Sequence, residues 1–237
     1  MQALALLDLD RTLIDSDAAF HVWAREFVAA HGLHDAALPV LVDIFARHSG
    51  LKDSFFATVC RNFGLSDSPA QLWEQYRRRM PELVSCRTED LDALRRLRRA
   101  GWRIGIVTNG MTDNQLGKIR NSGLDRLVDG WCISGDVGVR KPDPEIFRLA
   151  IERCGCRTSG GGWMIGDDLA ADVAGGQAAG LRTVWLQGGR GADSWPSAGP
   201  VPDVSADSVA AAVEVLLGPK QSEPGARGPD PADRPHP

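Results

Sequence analysis

Short apolar runs of strand length alternate with amphipathic segments of helix length from about residue 88 onward. That alternation limits the fold more than any other feature of the chain. Counting the run near the N-terminus, the strand-like stretches are 3–9, 103–108, 130–134, 162–166 and 182–186. Helical periodicity covers 90–100, 113–122, 144–154, 170–179 and 207–217. Strands that are apolar throughout are buried on both faces, and strands joined through helices pair in parallel. One helix start is explicit: Asp143 followed by Pro144 is an N-cap with proline at the first helical position. The expected class is therefore α/β, a doubly wound parallel sheet with helices on both faces.

The stretch 16–87 breaks the alternation. It carries helical patterns at 17–31, 38–48, 51–63 and 69–80 and no convincing strand. That is too much helix for a simple crossover. It is read as an inserted helical bundle, a cap packed over a Rossmann-like core formed by 1–15 and 88–217. Residues 218–237 hold six prolines and almost no apolar side chains, which predicts a disordered tail.

Bulk properties exclude several functions. With 237 residues, 43% hydrophobic and 24% charged, the chain can bury a large core. A net charge of −4 gives no general attraction to nucleic acid or to an anionic membrane. Arg77-Arg78-Arg79 and the group Arg95, Arg96, Arg98 and Arg99 are locally basic. Leu91, Leu94 and Leu97 place the second group on a solvated helix face. No apolar stretch approaches the roughly 20 residues of a membrane span. The N-terminus enters strand-like sequence at once, without a basic leader. The five cysteines fit no zinc or redox spacing. A cytoplasmic protein is expected, with no membrane or nucleic-acid partner, acting as a monomer or homodimer.

Four polar clusters each follow a predicted strand. Asp8 and Asp10 end the first, Thr108-Asn109-Gly110 the second, Lys141-Pro142 lies in the loop after the third, and Gly166-Asp167-Asp168 with Asp172 ends the fourth. In open α/β sheets ligands bind beyond the carboxyl ends of the strands, so the four clusters should converge. Singly, each reads as ordinary turn chemistry. Jointly they place acids, a hydroxyl and a lysine at one sheet edge. Asp8, Asp10 and Asp167 are hard oxygen donors suited to Mg²⁺. Lys141, Thr108 and nearby N–H groups suit the oxyanions of a phosphoryl group. An Asp beside a cation can act as a nucleophile, and a second carboxylate as acid and base in turn.

Asp8-x-Asp10-x-Thr12, Thr108-Asn109, Lys141-Pro142 and Gly166-Asp167-x₄-Asp172 together resemble the four motifs of the haloacid dehalogenase-like hydrolase superfamily, in order and spacing, over about residues 1–190. The insert is similar to that family's helical cap of the first type. The resemblance implies that Asp8 attacks phosphorus to form a phosphoaspartate. Asp10 then protonates the leaving oxygen and later deprotonates the hydrolytic water. Thr12 supports the turn, and Thr108 and Asn109 contact phosphoryl oxygens. Lys141 steadies nucleophile and phosphate. Asp167 binds Mg²⁺ with Asp8 and the backbone carbonyl of Asp10. Asp168 or Asp172 orients this shell, with the division between them left open.

Position 10 also discriminates within the family, because the dehalogenases carry a non-acidic residue there. Asp10 favours phosphate esters over a 2-haloacid dehalogenase activity. A phosphomutase using the same acid pair is the alternative. The stretches Thr108–Gln115, Ser122–Leu124 and Gly135–Asp143, with Gly175-Gly176, Gly180-Leu181 and Val184–Leu186, are similar to the branch holding pyrimidine 5′-nucleotidases and N-acylneuraminate-9-phosphatases. The expected enzyme is a Mg²⁺-dependent phosphoric monoester hydrolase acting on a small phosphorylated metabolite. A nucleoside monophosphate is the first choice, then a sugar phosphate or a biosynthetic intermediate. Arg47, His48 and Lys52 in the cap are candidates to reach the substrate. Trp23 reads better as core than as a stacking platform.

Overall fold

The computed structural model describes residues 3–48, 52–157, 161–188 and 199–218; all but the first residue of the expected tail lies outside them. Six strands form one parallel sheet: β1 (Leu4–Leu7), β2 (Arg103–Thr108), β3 (Gly130–Ile133), β4 (Gly162–Gly166), β5 (Arg182–Leu186) and β6 (Val204–Ala206), in the order β3-β2-β1-β4-β5-β6. The chain winds outward from β1 through β2 to β3, then returns to the other side of β1 with β4. The order therefore reverses between β1 and β4, where an α/β sheet opens a crevice. Strand β6 was not expected. It is three residues long and pairs only with β5, so it carries too little pattern to stand out.

Side chains of β1 alternate between two cores, as a strand's period of two requires. Leu4 and Leu6 join Val107, Cys132 and Met164 beneath helix α8 (Pro144–Arg153), against Ile146, Phe147, Ala150 and Ile151. Ala5 and Leu7 join Ile104, Ile106, Ile165 and Val184 on the opposite face. There α5 (Thr88–Arg99) contributes Ala93, Leu94 and Leu97, and α10 (Val209–Leu217) contributes Val209, Ala212 and Val213. Asp143 caps α8 by accepting from Glu145 N–H, ahead of Pro144, as expected.

The insert holds four helices: α1 (Ser16–Ala30), α2 (Ala37–Arg47), α3 (Lys52–Phe63) and α4 (Pro69–Leu83). Asp15 caps α1, and a Ser68–Gln71 capping box starts α4. Phe20, Trp23, Phe27, Phe55, Phe56 and Tyr76 fill their core; Trp23 meets Tyr76 edge-on, with ring centroids 5.0 Å apart. Trp23 is thus packing material. The bundle rests on the sheet side through α4 against α6 (Thr112–Asn121). Two shorter helices are α7 (Ser134–Val137), directly after β3, and α9 (Gly175–Ala178), shortly before β5. The segment expected as one helix over 170–179 is a π-helical turn, Leu169–Ala174, running into α9.

The basic clusters are paired with acids. Arg77 meets Asp113, Arg78 meets Glu74, Arg79 meets Glu26 and Glu82, Arg95 meets Asp92, Arg96 meets Glu214, and Arg98 meets Asp129. Among the described residues no helix is long and apolar enough to cross a membrane. All five cysteines are free thiols.

Candidate active site

The register brings the motif residues together. Leu7 pairs with Ile106 on one side and Ile165 on the other. Asp8 follows Leu7 directly, and Thr108 and Asp167 lie two residues beyond its partners, so all three emerge at one carboxyl edge. Asp8 N–H donates to Ile165 O at 2.9 Å, which holds the turn onto β4. The chain then folds tightly over 9–14. Leu13 and Ile14 N–H both donate to Leu9 O, and Arg11 N–H donates to Ile14 O. Arg11 takes a φ of +60°, a left-handed conformation that costs a non-glycine residue about 1–2 kcal/mol. Thr12 is buried in this turn, and its hydroxyl has no hydrogen-bond partner among the described residues.

Lys141 is the centre of the charge cluster. Its Nζ donates to Asp8 Oδ1 at 2.6 Å and to Asp172 Oδ1 at 2.7 Å. The lysine is held in place by Asn109, whose Oδ1 accepts from Lys141 N–H and whose Nδ2 donates to Lys141 O. The side chain of Asn109 therefore braces the lysine loop. The last acid pair separates in the geometry. Asp172 is buried and faces Lys141. Asp168 is exposed and caps the π-helical turn, accepting from Ala170 and Ala171 N–H, while its own N–H donates to Asp172 Oδ2. Gly166 makes room for this arrangement: a Cβ there would lie 2.1 Å from Asp172 Oδ2.

Burial sets the titration of these groups. It pushes the Asp8 carboxyl up to about 7 against the pull of Lys141, with the charges of Asp172 and Asp10 adding to the rise. Burial also raises Asp167, to about 6, opposed chiefly by Arg11, whose Nε lies 3.1 Å from Asp167 Oδ2. Asp172 is raised too, burial outweighing the nearby lysine. For Lys141 burial works downward, but Asp172 and Asp8 together hold it above the ordinary lysine range. Like-charged carboxyls held this close out of water favour protonation or a cation.

The donor set fits a hard divalent cation. Oxygens of Asp8, Asp167 and Asp172 lie within 4.8 Å of one another. Asp172 has both oxygens engaged, by Lys141 Nζ and by Asp168 N–H, so it braces the cluster. Asp167 Oδ1 is buried with no hydrogen-bond partner among the described residues, which is how a ligand atom for a metal is expected to look.

Asp10 stands apart from this cluster and turns to α6. Gln115 Nε2 donates to Asp10 Oδ2 at 2.8 Å and to Thr108 Oγ1 at 2.6 Å, and Lys118 Nζ donates to Asp10 Oδ1 at 2.7 Å. Since Gln115 supplies a donor to the Thr108 oxygen, the threonine's own O–H is left to donate elsewhere. Sequence reasoning did not single out Gln115 or Lys118 for the site. The available signal was their three-residue spacing, which puts them on one helix face together with Ile119. Of the cap candidates, Arg47 pairs with Asp43, and His48 bonds Ile44 O and Thr58 Oγ1. The side chain of Lys52 lies outside the described residues.

A doubly wound sheet whose switch point carries paired carboxylates braced by a buried lysine has its polar site where α/β folds bind their ligands. Residues 3–180 match the family model for haloacid dehalogenase-like hydrolases, and the chain belongs to that family. It is 30% identical to the HAD-hydrolase YfnB of Bacillus subtilis over 199 residues, covering 76% of this chain and 82% of that protein. A crystal structure of YfnB bound to magnesium superposes with a TM-score of 0.71 at 24% identity, covering 91% of this chain and 99% of that one. The pyrimidine 5′-nucleotidase YjjG of Escherichia coli is 34% identical over 122 residues, 52% of this chain and 54% of that protein. The glyceraldehyde 3-phosphate phosphatase of Pyrococcus abyssi is 27% identical over 208 residues, 80% of this chain and 83% of that protein. With such relatives and this site, the chain is a phosphatase of the family.

Proposed function

We propose that the protein hydrolyses the phosphate ester of a small metabolite, with Asp8 as nucleophile and Asp10 as proton carrier, in the presence of Mg²⁺. The observation that carries this reading is the separation of the two acids. Asp8 is buried against Lys141, whereas Asp10 accepts from Gln115 and Lys118 beside Thr108. Two carboxylates in different environments can take different roles.

Asp8 and Asp167 would hold the cation together with the backbone carbonyl of Asp10, and Asp172 would orient them. When bound, Mg²⁺ offsets the repulsion between carboxylates and phosphate. Asp8 Oδ attacks phosphorus while the ester oxygen leaves with a proton from Asp10, giving a phosphoaspartate and an alcohol. Asp10, now a carboxylate, takes a proton from water as that water attacks the phosphoaspartate. This releases phosphate and restores both acids. Lys141 favours the ionised form of Asp8 against the effect of burial and holds it close to the phosphoryl group. The Thr108 hydroxyl and the N–H groups that follow it donate to phosphoryl oxygens.

The helices α1–α4 act as a cap that shapes the space for the leaving group. A nucleoside monophosphate is the favoured substrate, supported by the likeness to YjjG, with sugar phosphates next, supported by the Pyrococcus relative. The protein works in the cytoplasm as a monomer or homodimer.

The test is phosphate release from a panel of nucleoside monophosphates and sugar phosphates, run on EDTA-stripped protein with and without added Mg²⁺. Free phosphate accumulating in step with dephosphorylated product, only with Mg²⁺, is expected. Isomerised phosphate ester without free phosphate would make the protein a mutase. Equal p-nitrophenyl phosphate hydrolysis without metal would end the metal claim.

A further inference from the structure

Helix α6 buries polar side chains where apolar ones would be easier to place. Gln115 is 2% exposed and Lys118 5%, both on the face that carries Ile119 inward. A lysine is almost never this buried unless it is paired, since taking an ammonium out of water is costly. Here each oxygen of Asp10 receives its own donor, Oδ1 from Lys118 Nζ and Oδ2 from Gln115 Nε2. Two donors on two oxygens fix the plane of a carboxylate, which one donor does not. Gln115 also donates to Thr108 Oγ1, which ties the acid to the hydroxyl at the end of β2.

The helix that carries these donors is itself anchored to the insert. Asn114 Nδ2 donates to Arg77 O at 2.9 Å, and Asn121 Nδ2 donates to Pro81 O at 3.0 Å, both on α4. Gly117 lets the two helices approach: a Cβ there would meet Pro81 at 2.9 Å. Asp10 is thus aimed by a helix wedged between the sheet and the insert.

We infer that Gln115 and Lys118 are positioning residues that aim the Asp10 carboxyl at the leaving oxygen. This rests on the reading of Asp10 as proton carrier. Aiming matters most where the leaving group needs a proton. The nitrophenolate of p-nitrophenyl phosphate leaves as a stable anion and needs little help. Phenyl phosphate has nearly the same shape but a far more basic leaving oxygen.

The experiment compares kcat for these two esters, with Mg²⁺ saturating, in Lys118→Met and Gln115→Met. The expected loss is on the order of 100-fold on phenyl phosphate and under about tenfold on p-nitrophenyl phosphate, with KM within about threefold of wild type. Lys118→Arg should recover most of the loss. In an Asp10→Ala background, Lys118→Met should add less than about twofold, because residues acting through one partner are not additive. Equal losses on the two esters, or an undiminished Lys118→Met effect without Asp10, would overturn the inference. Wild-type turnover of phenyl phosphate by Asp10→Ala alone would instead overturn the proton-carrier reading, and the inference with it. Thermal unfolding identifies a variant that fails to fold. In that event Gln115→Met carries the same comparison.

Discussion

Replacing Asp167 by Asn should stabilise the protein when no metal is present. The carboxyl is 6% exposed, and burial lifts it from 3.8 to about 6. Its folded value lies above its unfolded value, so the fold favours the protonated acid. That contribution to stability is complete below about pH 4 and is lost as pH rises through about 6. At about 1.4 kcal/mol per pKa unit, the ionised carboxylate costs the fold roughly 3 kcal/mol at pH 7.5. Asn avoids that cost. It gives up the pair with Arg11, a side chain 42% exposed, worth about 0–1 kcal/mol. It also leaves a buried polar atom unpartnered, as Asp167 Oδ1 already is. The net gain should be about 2–3 kcal/mol, or about 4–12 °C in Tm for a chain of this length. The assay is thermal unfolding of EDTA-dialysed wild type and Asp167→Asn at pH 5 and pH 7.5. The gain should appear at pH 7.5 and shrink at pH 5, where the wild-type acid is protonated. Added Mg²⁺ should raise the wild-type Tm and leave the variant's nearly unchanged. A variant less stable than wild type at pH 7.5, or a gain independent of pH, would refute the reasoning.

Three further outcomes follow from the same geometry. Asp8→Asn should reduce turnover to background even with Mg²⁺ saturating, while far-UV circular dichroism stays native; near-normal turnover would remove Asp8 as nucleophile. Lys141→Met leaves Asp8 and Asp172 buried without their cation, and should lower stability by about 3–5 kcal/mol by urea unfolding at pH 7.5. Gly166→Ala drives a Cβ into Asp172 Oδ2; it should cost about 1–3 kcal/mol and lower kcat through displacement of the Lys141 partner.

The convergence of the motif residues was legible because its signals are local. Asp8, Thr108 and Asp167 each end a strand, and strand ends are visible as the point where an apolar run meets a turn. Parallel pairing then does the rest, since the register aligns those ends without further information. What was not legible depends on which way a side chain faces across the fold. Asp168 and Asp172 are both acids after β4, and only the π-helical turn decides that one caps and the other meets Lys141. That the Asn109 side chain closes a pair of hydrogen bonds with the Lys141 backbone depends on how two loops meet, which the motif does not encode. Gln115 and Lys118 were hidden for another reason. Polar residues on an amphipathic helix ordinarily mark the solvated face, and here they mark the buried one. Strand β6 escaped notice because three residues at a sheet edge show no periodicity.

The central claim is that Asp8 carries the phosphoryl group between two half-reactions. Acid quench of the Mg²⁺-loaded enzyme during turnover of p-nitrophenyl phosphate, followed by peptide mapping, tests it directly. A hydroxylamine-sensitive phosphoryl group on the peptide containing Asp8 is expected, and it should be absent in Asp8→Asn. Turnover with no phosphorylated Asp8, or with the label on another residue, would contradict the account.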